Sequence, residues 1–189
     1  MKKQPLSIDC HGVLAHFGIK VLEEANRRLG TSFTDDNCDA FYFKDCKKLG
    51  EHASFVEGVC VELMDEGSVY GKLDPYPGAM ECCRALSEKF DLWVVTHVTP
   101  RGVVPVIKWF YDHEFPVKCV FPVSSPNEKI HIVEQTRGII EDRAKTVNDL
   151  TCQDIQCWLV NRPWNANERI HADVGRGTLN EIVGRIING

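Results

Sequence analysis

Five short runs of apolar and β-branched residues are spaced along the chain, each four or five residues long. They are Pro5–Asp9, Leu92–Thr96, Cys119–Val123, Gly138–Glu141 and Cys157–Val160. Most of these runs are continuous rather than alternating with polar residues, which is typical of parallel strands covered by helices on both faces. The pattern therefore predicts five buried strands.

The segments between these runs have apolar residues at helical spacing. Three such patterns are Met80, Cys83 and Leu86; Val103, Ile107, Phe110 and Tyr111; and Leu179, Ile182, Val183, Ile186 and Ile187. Strands that alternate with helices are typical of an α/β protein, and right-handed crossovers place the helices on both faces of the sheet. We therefore expect a doubly wound, Rossmann-like parallel five-stranded sheet.

The alternation is interrupted after the first strand, where only helical patterns occur. One stripe begins at Ile19 and stops at Gly30, and a stronger one begins at Phe55 and stops at Gly67. The polar and aromatic stretch between them is expected to be a loop with a short helix. The sequence thus predicts a core domain of residues 1–15 and 75–189, with a small helical cap of residues 16–74 inserted into it.

The composition narrows the range of partners. The net charge is −5 and no long basic block occurs, so a nucleic-acid polymer is not indicated as a ligand. No run of about 18 apolar residues is present, so a membrane partner is not expected either. Nine dispersed cysteines without a secretion signal predict a reducing, cytoplasmic location. A homodimer is left open beside a monomer.

Polar side chains follow the predicted strands, and the carboxyl ends of parallel strands meet at one edge of a sheet. Asp9 ends the first run, Thr96 the second, and Glu141 with Asp142 the fourth, while Lys129 follows the third. Carboxylates that converge from two strands repel each other unless a hard cation such as Mg²⁺ lies between them. The pattern indicates a phosphate site, with Asp9 as the nucleophile.

Four segments in this order resemble the motifs of haloacid dehalogenase-like phosphohydrolases. DCHGVLAHF is similar to the first motif, VVTH to the second and GIIEDR to the acidic fourth, and Lys129 falls where the lysine of the third is expected. Within that superfamily, GVLAHF, PYPGA, IIEDR and LVNRPWN are most similar to the 5'-nucleotidase group that acts on deoxyribonucleotides. That group also carries a helical cap between motifs one and two.

The resemblance implies a magnesium-dependent phosphomonoester hydrolase that forms an aspartyl-phosphate and acts on a small phosphorylated substrate, a nucleoside 5'-monophosphate. Asp9 and His11 would be catalytic. The metal ligands would be Asp9, His11 through its backbone carbonyl, Glu141 and Asp142. The phosphate or the rest of the substrate would be bound by Thr96, His97, Lys129 and Phe17, the last by stacking on a nucleobase. Arg162 and Trp164 are interpreted as structural.

One residue departs from the pattern, because His11 stands where phosphatases of this superfamily have their acid/base aspartate. Histidine titrates near neutral pH and is a competent proton donor, so turnover is compatible with the change. Two alternatives stay open. The chain is a phosphatase or phosphotransferase for another small metabolite, or it is a weakly active or inactive phosphate-binding regulatory module.

Overall fold

The fold is built on one parallel sheet, described by a computed structural model for residues 2–189. The strand order is β3-β2-β1-β4-β5-β6, the order of a doubly wound α/β sheet. The strands are β1 (Gln4–Ile8), β2 (Phe90–His97), β3 (Cys119–Val123), β4 (Ile139–Glu141), β5 (Cys157–Val160) and β6 (Gly175–Gly177). The predicted fold class is confirmed, and all five predicted strands are present.

The strand count is corrected from five to six. β6 pairs in parallel with β5, with Gly175 opposite Trp158. Its sequence, Gly-Arg-Gly, has neither the apolar nor the β-branched residues that mark a strand. A side chain at Gly175 would collide with the indole of Trp158, since a Cβ there would lie 2.7 Å from Cδ1. Close packing therefore favours glycine at the position where the usual strand signal is missing.

Helices cover both faces of the sheet. They are α1 (Phe17–Leu29), α2 (Ala53–Glu66), α3 (Ala79–Lys89), α4 (Val103–Asp112), α5 (Ile130–Val133), α6 (Ala144–Thr151) and α7 (Leu179–Asn188). Val94 and Ile140 face the apolar cluster that includes α3, α4 and α7. Their neighbours Val95 and Ile139 face the cluster that includes α5 and α6. Successive strand residues point to opposite faces, so continuous apolar strands need helices on both sides.

The helix predicted from Val103 is confirmed as α4, but its buried side differs from the predicted stripe. Val106, Trp109 and Phe110 are the buried residues of α4. Ile107 and Tyr111, which the spacing assigned to the same apolar face, are 44% and 84% exposed. The helix contains apolar residues around most of its circumference, so periodicity alone does not identify the side that packs against the protein.

The segment between β1 and α3 contains helices and loops. α1 is followed by Gly30 and α2 by Gly67, and both glycines have the left-handed conformation that glycine adopts at helix ends. Short 3₁₀ helices occupy Asp35–Asn37, Phe43–Asp45, Lys47–His52 and Ser68–Lys72. This segment has an apolar cluster of its own, formed mainly by α1, α2 and the loop between them.

The two chain segments at which the sequence places the ends of the cap, near residues 15 and 75, lie side by side. The N–H of His16 donates to the carbonyl of Asp74 (2.9 Å), and the N–H of Tyr76 donates to that of Leu14 (2.8 Å). The division into a core of residues 1–15 and 75–189 and a cap of residues 16–74 stays a prediction. Within residues 2–189, no helix is both long and apolar enough to span a bilayer.

Candidate active site

Three carboxylates meet where the strand order reverses, between β1 and β4. Asp9 directly follows β1, Glu141 is the last residue of β4 and Asp142 follows it. One ligand oxygen from each lies within 4.8 Å of the others, and all three side chains are buried. Ligands of open parallel sheets bind beyond the strand ends at such a switch point. The predicted convergence of these acidic residues is therefore present.

Lys129 lies between two of these carboxylates. Its Nζ is 2.9 Å from Oδ2 of Asp9 and 2.7 Å from Oε2 of Glu141. Burial alone would lower the pKa of Lys129, but the two carboxylates outweigh it and raise that pKa above its ordinary value. When all three carboxylates are ionised, as they would be around a metal ion, the one ammonium leaves two negative charges without a partner in the cluster. The site therefore has the charge of a divalent-cation site.

The donor set fits Mg²⁺, which prefers oxygen ligands. Burial, and then repulsion by neighbouring carboxylates, raises the pKa of both Glu141 and Asp142. Backbone geometry brings the ligands close, because Gly12 has a φ of +75° and a Cβ at that position would lie 2.1 Å from Oδ2 of Asp142. Glycine therefore lets the loop after β1 approach the carboxylate directly.

His11 lies in an aromatic enclosure beside these carboxylates. Its ring is 5.4 Å from that of Phe17 and 4.9 Å from that of Tyr70, measured between centroids. Nδ1 is 3.3 Å from the hydroxyl of Thr96, and the buried Nε2 has no hydrogen-bond partner within residues 2–189. Burial, then the positive charges of Lys129 and His97, lower the pKa of His11 to about 3. The imidazole is therefore neutral at pH 7, and it needs a negative charge bound beside it to gain the proton affinity of a working acid or base.

A cavity of about 170 Å³ opens above this cluster. Because a water molecule takes up roughly 30 Å³, the space admits a phosphoryl group with part of a larger molecule. Its floor contains the predicted site residues Asp9, His11, His97, Lys129, Glu141 and Asp142, and its wall contains Phe17 together with Phe41, Phe43, Met64 and Tyr70. Thr96 is fully buried at the end of β2, next to His11. The structure thus brings every predicted site residue to one cavity or its immediate border.

Arg143, which the sequence offered only as an alternative to Lys129, connects the floor to the wall. One guanidinium N–H donates to the hydroxyl of Tyr42 at 2.7 Å, and the guanidinium carbon lies 4.8 Å from the centre of the Phe41 ring. The backbone N–H of Arg143 also donates to the carboxylate of Glu141. The position directly after two acidic ligands is a signal for such a role, but its aromatic partners are distant in sequence.

Comparisons with known proteins locate this arrangement among known folds. No protein-family model matches the chain, and no curated protein sequence matches it significantly. Among solved structures, L-2-haloacid dehalogenase from Xanthobacter autotrophicus, with chloropropionic acid covalently bound, has a TM-score of 0.62 at 13% identity over 100% of this chain and 99% of that one. The chain has the haloacid dehalogenase-like fold.

Two further structures with the haloacid dehalogenase-like fold contain magnesium or phosphate. The HAD-hydrolase YfnB from Bacillus subtilis, bound to magnesium, has a TM-score of 0.58 at 12% identity over all of both chains. CbbY from Rhodobacter sphaeroides, in complex with phosphate, has a TM-score of 0.54 at 14% identity over 95% of this chain and 96% of that one. Identities this low establish the fold, so the activity has to be argued from the site.

Proposed function

We propose that this chain is a magnesium-dependent phosphomonoester hydrolase that forms an aspartyl-phosphate on Asp9. The observation that carries the proposal is the pairing of Asp9 with Lys129 beside Glu141 and Asp142, at the switch point of the sheet. A carboxylate nucleophile, a fixed ammonium and surplus negative charge for a divalent cation are what transfer of a phosphoryl group to aspartate requires.

The cation would be held by the side chains of Asp9, Glu141 and Asp142, and by the carbonyl of His11 that the resemblance implies. Glu141 also accepts the backbone N–H groups of Asp142 and Arg143 on Oε1, so its position is fixed on both sides of its carboxylate. When bound, Mg²⁺ would neutralise negative charge on the phosphoryl oxygens.

In the first step, an oxygen of Asp9 attacks phosphorus and the bond from phosphorus to the ester oxygen breaks. The bonding electron pair leaves with the alkoxide, which takes up a proton. Lys129 and Thr96 hold the phosphoryl oxygens. A neutral His11 supplies that proton only if the bound phosphate dianion first raises its pKa, because a nearby negative charge favours imidazolium.

In the second step, a water molecule attacks the phosphorus of the aspartyl-phosphate. His11 accepts a proton from this water through Nε2, which has no other partner within residues 2–189, and the negative phosphoryl group beside it raises the pKa of the imidazole for this role. The bond between phosphorus and the Asp9 oxygen breaks, and its electron pair returns to the carboxylate. Inorganic phosphate and the original Asp9 are the products.

We further propose a nucleoside 5'-monophosphate as the substrate. The cavity wall supplies flat aromatic surfaces, and Phe17 and Tyr70 already stack at 5.6 Å with 19° between their planes. Such surfaces suit a nucleobase, and the resemblance to the deoxyribonucleotide group points the same way. Another small phosphorylated metabolite would use the same floor and differ in its contacts with the wall.

A second candidate is a phosphate-binding module with little or no turnover. The observation that favours it is the low pKa of His11, which leaves the leaving group without a ready proton donor. Replacing histidine by aspartate separates the two candidates. A large gain in phosphate release by His11→Asp supports the binding module, and a loss of activity supports a working histidine.

The test of the proposed function is phosphate release from a panel of nucleoside monophosphates and sugar phosphates, with and without Mg²⁺. The panel also includes 2-chloropropionate, whose hydrolysis would reveal displacement at carbon instead of at phosphorus. We expect release with Mg²⁺, and a loss of at least about a thousandfold in Asp9→Asn because the nucleophile is removed. The matched control is Asp149→Asn, which changes an exposed carboxylate paired with Lys145. Full activity in Asp9→Asn would exclude the covalent route.

A further inference from the structure

The turn that follows β5 contacts both loops that carry the proposed metal ligands. It consists of residues 162–165 (Arg-Pro-Trp-Asn), of which Pro163–Asn165 form a 3₁₀ helix. The sequence interpreted its arginine and tryptophan as structural, and the proposed chemistry makes no use of them. We call these four residues the RPWN turn.

Trp164 contacts a proposed ligand directly. Its indole N–H donates to Oδ2 of Asp142 at 2.9 Å. Because the indole can only donate, this bond occupies one lone pair of Oδ2 and orients the carboxylate, whose other lone pairs are left for a cation. The ring itself packs against the apolar cluster of the helical segment between β1 and α3. Trp164 therefore links the orientation of Asp142 to the packing of the predicted cap.

Asn165 fixes the backbone of the same ligand. It is 1% exposed, and its Nδ2 donates to the carbonyl of Asp142 (2.7 Å) and to that of Val160 (2.8 Å). A buried amide with both hydrogens used is costly to displace, since each lost bond would leave a polar group unpaired. The side chain and the main chain of Asp142 are thus both held by the RPWN turn.

Arg162 holds the other ligand-bearing loop. Its Nε donates to the carbonyl of Gly12 at 2.5 Å and its Nη2 to that of Val13 at 3.3 Å. The guanidinium is further supported by the ring of Tyr76, at 3.7 Å from the ring centre. Since Gly12 follows Asp9 and His11 closely in sequence, Arg162 restrains the loop that presents the proposed nucleophile.

We infer that the RPWN turn is a positioning element for the cation site and that Trp164 is the member acting on a ligand itself. The inference rests on the proposed function. Residues that hydrogen-bond metal ligands orient them before the ion binds, and their loss typically weakens metal affinity by 10–100-fold. Trp164 is here a positioning residue, because it touches the ligand and not the reacting atoms.

The test compares divalent-cation affinity in Trp164→Phe and in the unaltered chain, with Mn²⁺ as the probe followed by the EPR signal of the free ion. Phenylalanine keeps the aromatic packing and removes the N–H. We expect affinity to fall at least about tenfold. The matched control is Trp93→Phe, a tryptophan of β2 whose ring packs on Phe121, and its affinity should be unchanged.

Kinetics supply a second readout. In Trp164→Phe the Mg²⁺ concentration for half-maximal phosphate release should rise by the same factor, while kcat at saturating Mg²⁺ stays within a few-fold. A purely structural tryptophan would lower Tm without changing the affinity of the folded molecules. If Trp164→Phe does not fold, Arg162→Lys replaces it, because lysine loses the forked contact with the carbonyls of Gly12 and Val13.

The outcomes separate this inference from the proposed function. If the unaltered chain binds Mn²⁺ and Trp164→Phe binds it equally well, the positioning role is wrong and the proposed function stands. With Arg162→Lys in its place, unchanged affinity likewise overturns the inference. If the unaltered chain binds no divalent cation, the proposed function fails and the inference fails with it.

Discussion

The floor and the wall of the cavity are built differently. The floor consists of charged and polar side chains at strand ends, where Asp9, Lys129 and Glu141 are each at most 6% exposed and joined by ion pairs. The outer wall contains aromatic residues on loops and helices. Phe41 of this wall is 42% exposed, and its neighbour Tyr42, which is hydrogen-bonded to Arg143, is 43% exposed. Under the proposed function, bond-making chemistry belongs to the fixed part of the cavity and substrate selection to the more exposed part.

The physical reason for this difference is the support beneath each part. Side chains at the ends of β1 and β4 inherit the rigidity of a hydrogen-bonded sheet covered on both faces. The outer wall is formed largely by the loop with short 3₁₀ helices between α1 and α2, where few backbone groups belong to long regular elements. Such segments generally open at lower free energy than the strands of a core.

The largest effect on stability is expected from removing the ammonium group of Lys129. Lys129→Met leaves Asp9 and Glu141 buried without their counter-charge, which typically costs about 3–5 kcal/mol in the free energy of unfolding. Denaturant unfolding of the two proteins measures this cost. The matched control is Lys145→Met, an exposed lysine whose loss should change stability by less than about 0.5 kcal/mol. Equal costs for both variants would refute the buried ion pairs of Lys129 with Asp9 and Glu141.

A smaller effect is expected where the backbone approaches a ligand. Gly12→Ala places a side chain at positive φ, at a cost of about 1–3 kcal/mol, and also displaces the Asp142 carboxylate. Gly30→Ala is the control, because Gly30 has a similar φ of +68° and open space around it. We expect both to lose stability but Gly12→Ala alone to lose Mn²⁺ affinity. Equal affinities would contradict the close approach at Gly12.

On the wall the expected effect is smaller still. Tyr42→Phe removes the hydroxyl that accepts from Arg143 and keeps the aromatic ring. Loss of one such bond is worth about 1 kcal/mol, which is an upper bound for its indirect effect on substrate binding, so KM should rise by at most about fivefold with kcat unchanged. Tyr111→Phe, on the exposed side of α4, is the control. A change in kcat would contradict this prediction, because it would mean that Tyr42 affects the chemical step and not only substrate binding.

The smallest effect is expected on the surface of the predicted cap. Bonds from Arg27 and Arg28 lower the pKa of Glu24 to about 2. Because this pKa is below the ordinary value of 4.5, the stabilisation exists above pH 4.5 and is lost as the pH falls towards 2. Glu24→Gln should therefore lower Tm slightly at pH 7, and the difference should shrink at pH 3 and in 1 M NaCl. A difference independent of pH and salt would exclude this ion pair as its source.

Most of the floor could be predicted because its residues stand at or just after the ends of readable strands, whereas Lys129 was predicted from the resemblance to the third motif. Asp9, Thr96 and the Glu141–Asp142 pair stand at the ends of apolar runs, and parallel strands bring such ends to one edge. The catalytic and metal-binding roles of these residues remain predictions, since proximity and burial do not measure turnover. The sixth strand was not predicted because it lacks apolar and β-branched residues. Close packing against Trp158 favours glycine at Gly175 instead.

The contacts of Arg143 and Trp164 could not be predicted. Each joins residues far apart in sequence, such as Tyr42 with Arg143 and Asp142 with Trp164, and no local pattern encodes which partners meet. The buried side of α4 was misread for a related reason. Apolar residues surround most of that helix, and packing decided which of them face the protein.

By itself, the sequence determined the α/β class, five of the six strands and the set of polar residues at the carboxyl edge, because periodicity and strand-end position are local properties. Tertiary structure alone decided that Lys129 lies between two carboxylates, that His11 is enclosed by aromatic rings, and that the RPWN turn holds Asp142. Those features depend on distances between segments remote in sequence and on the loss of water around them, which determine charge pairing and the pKa of a buried group.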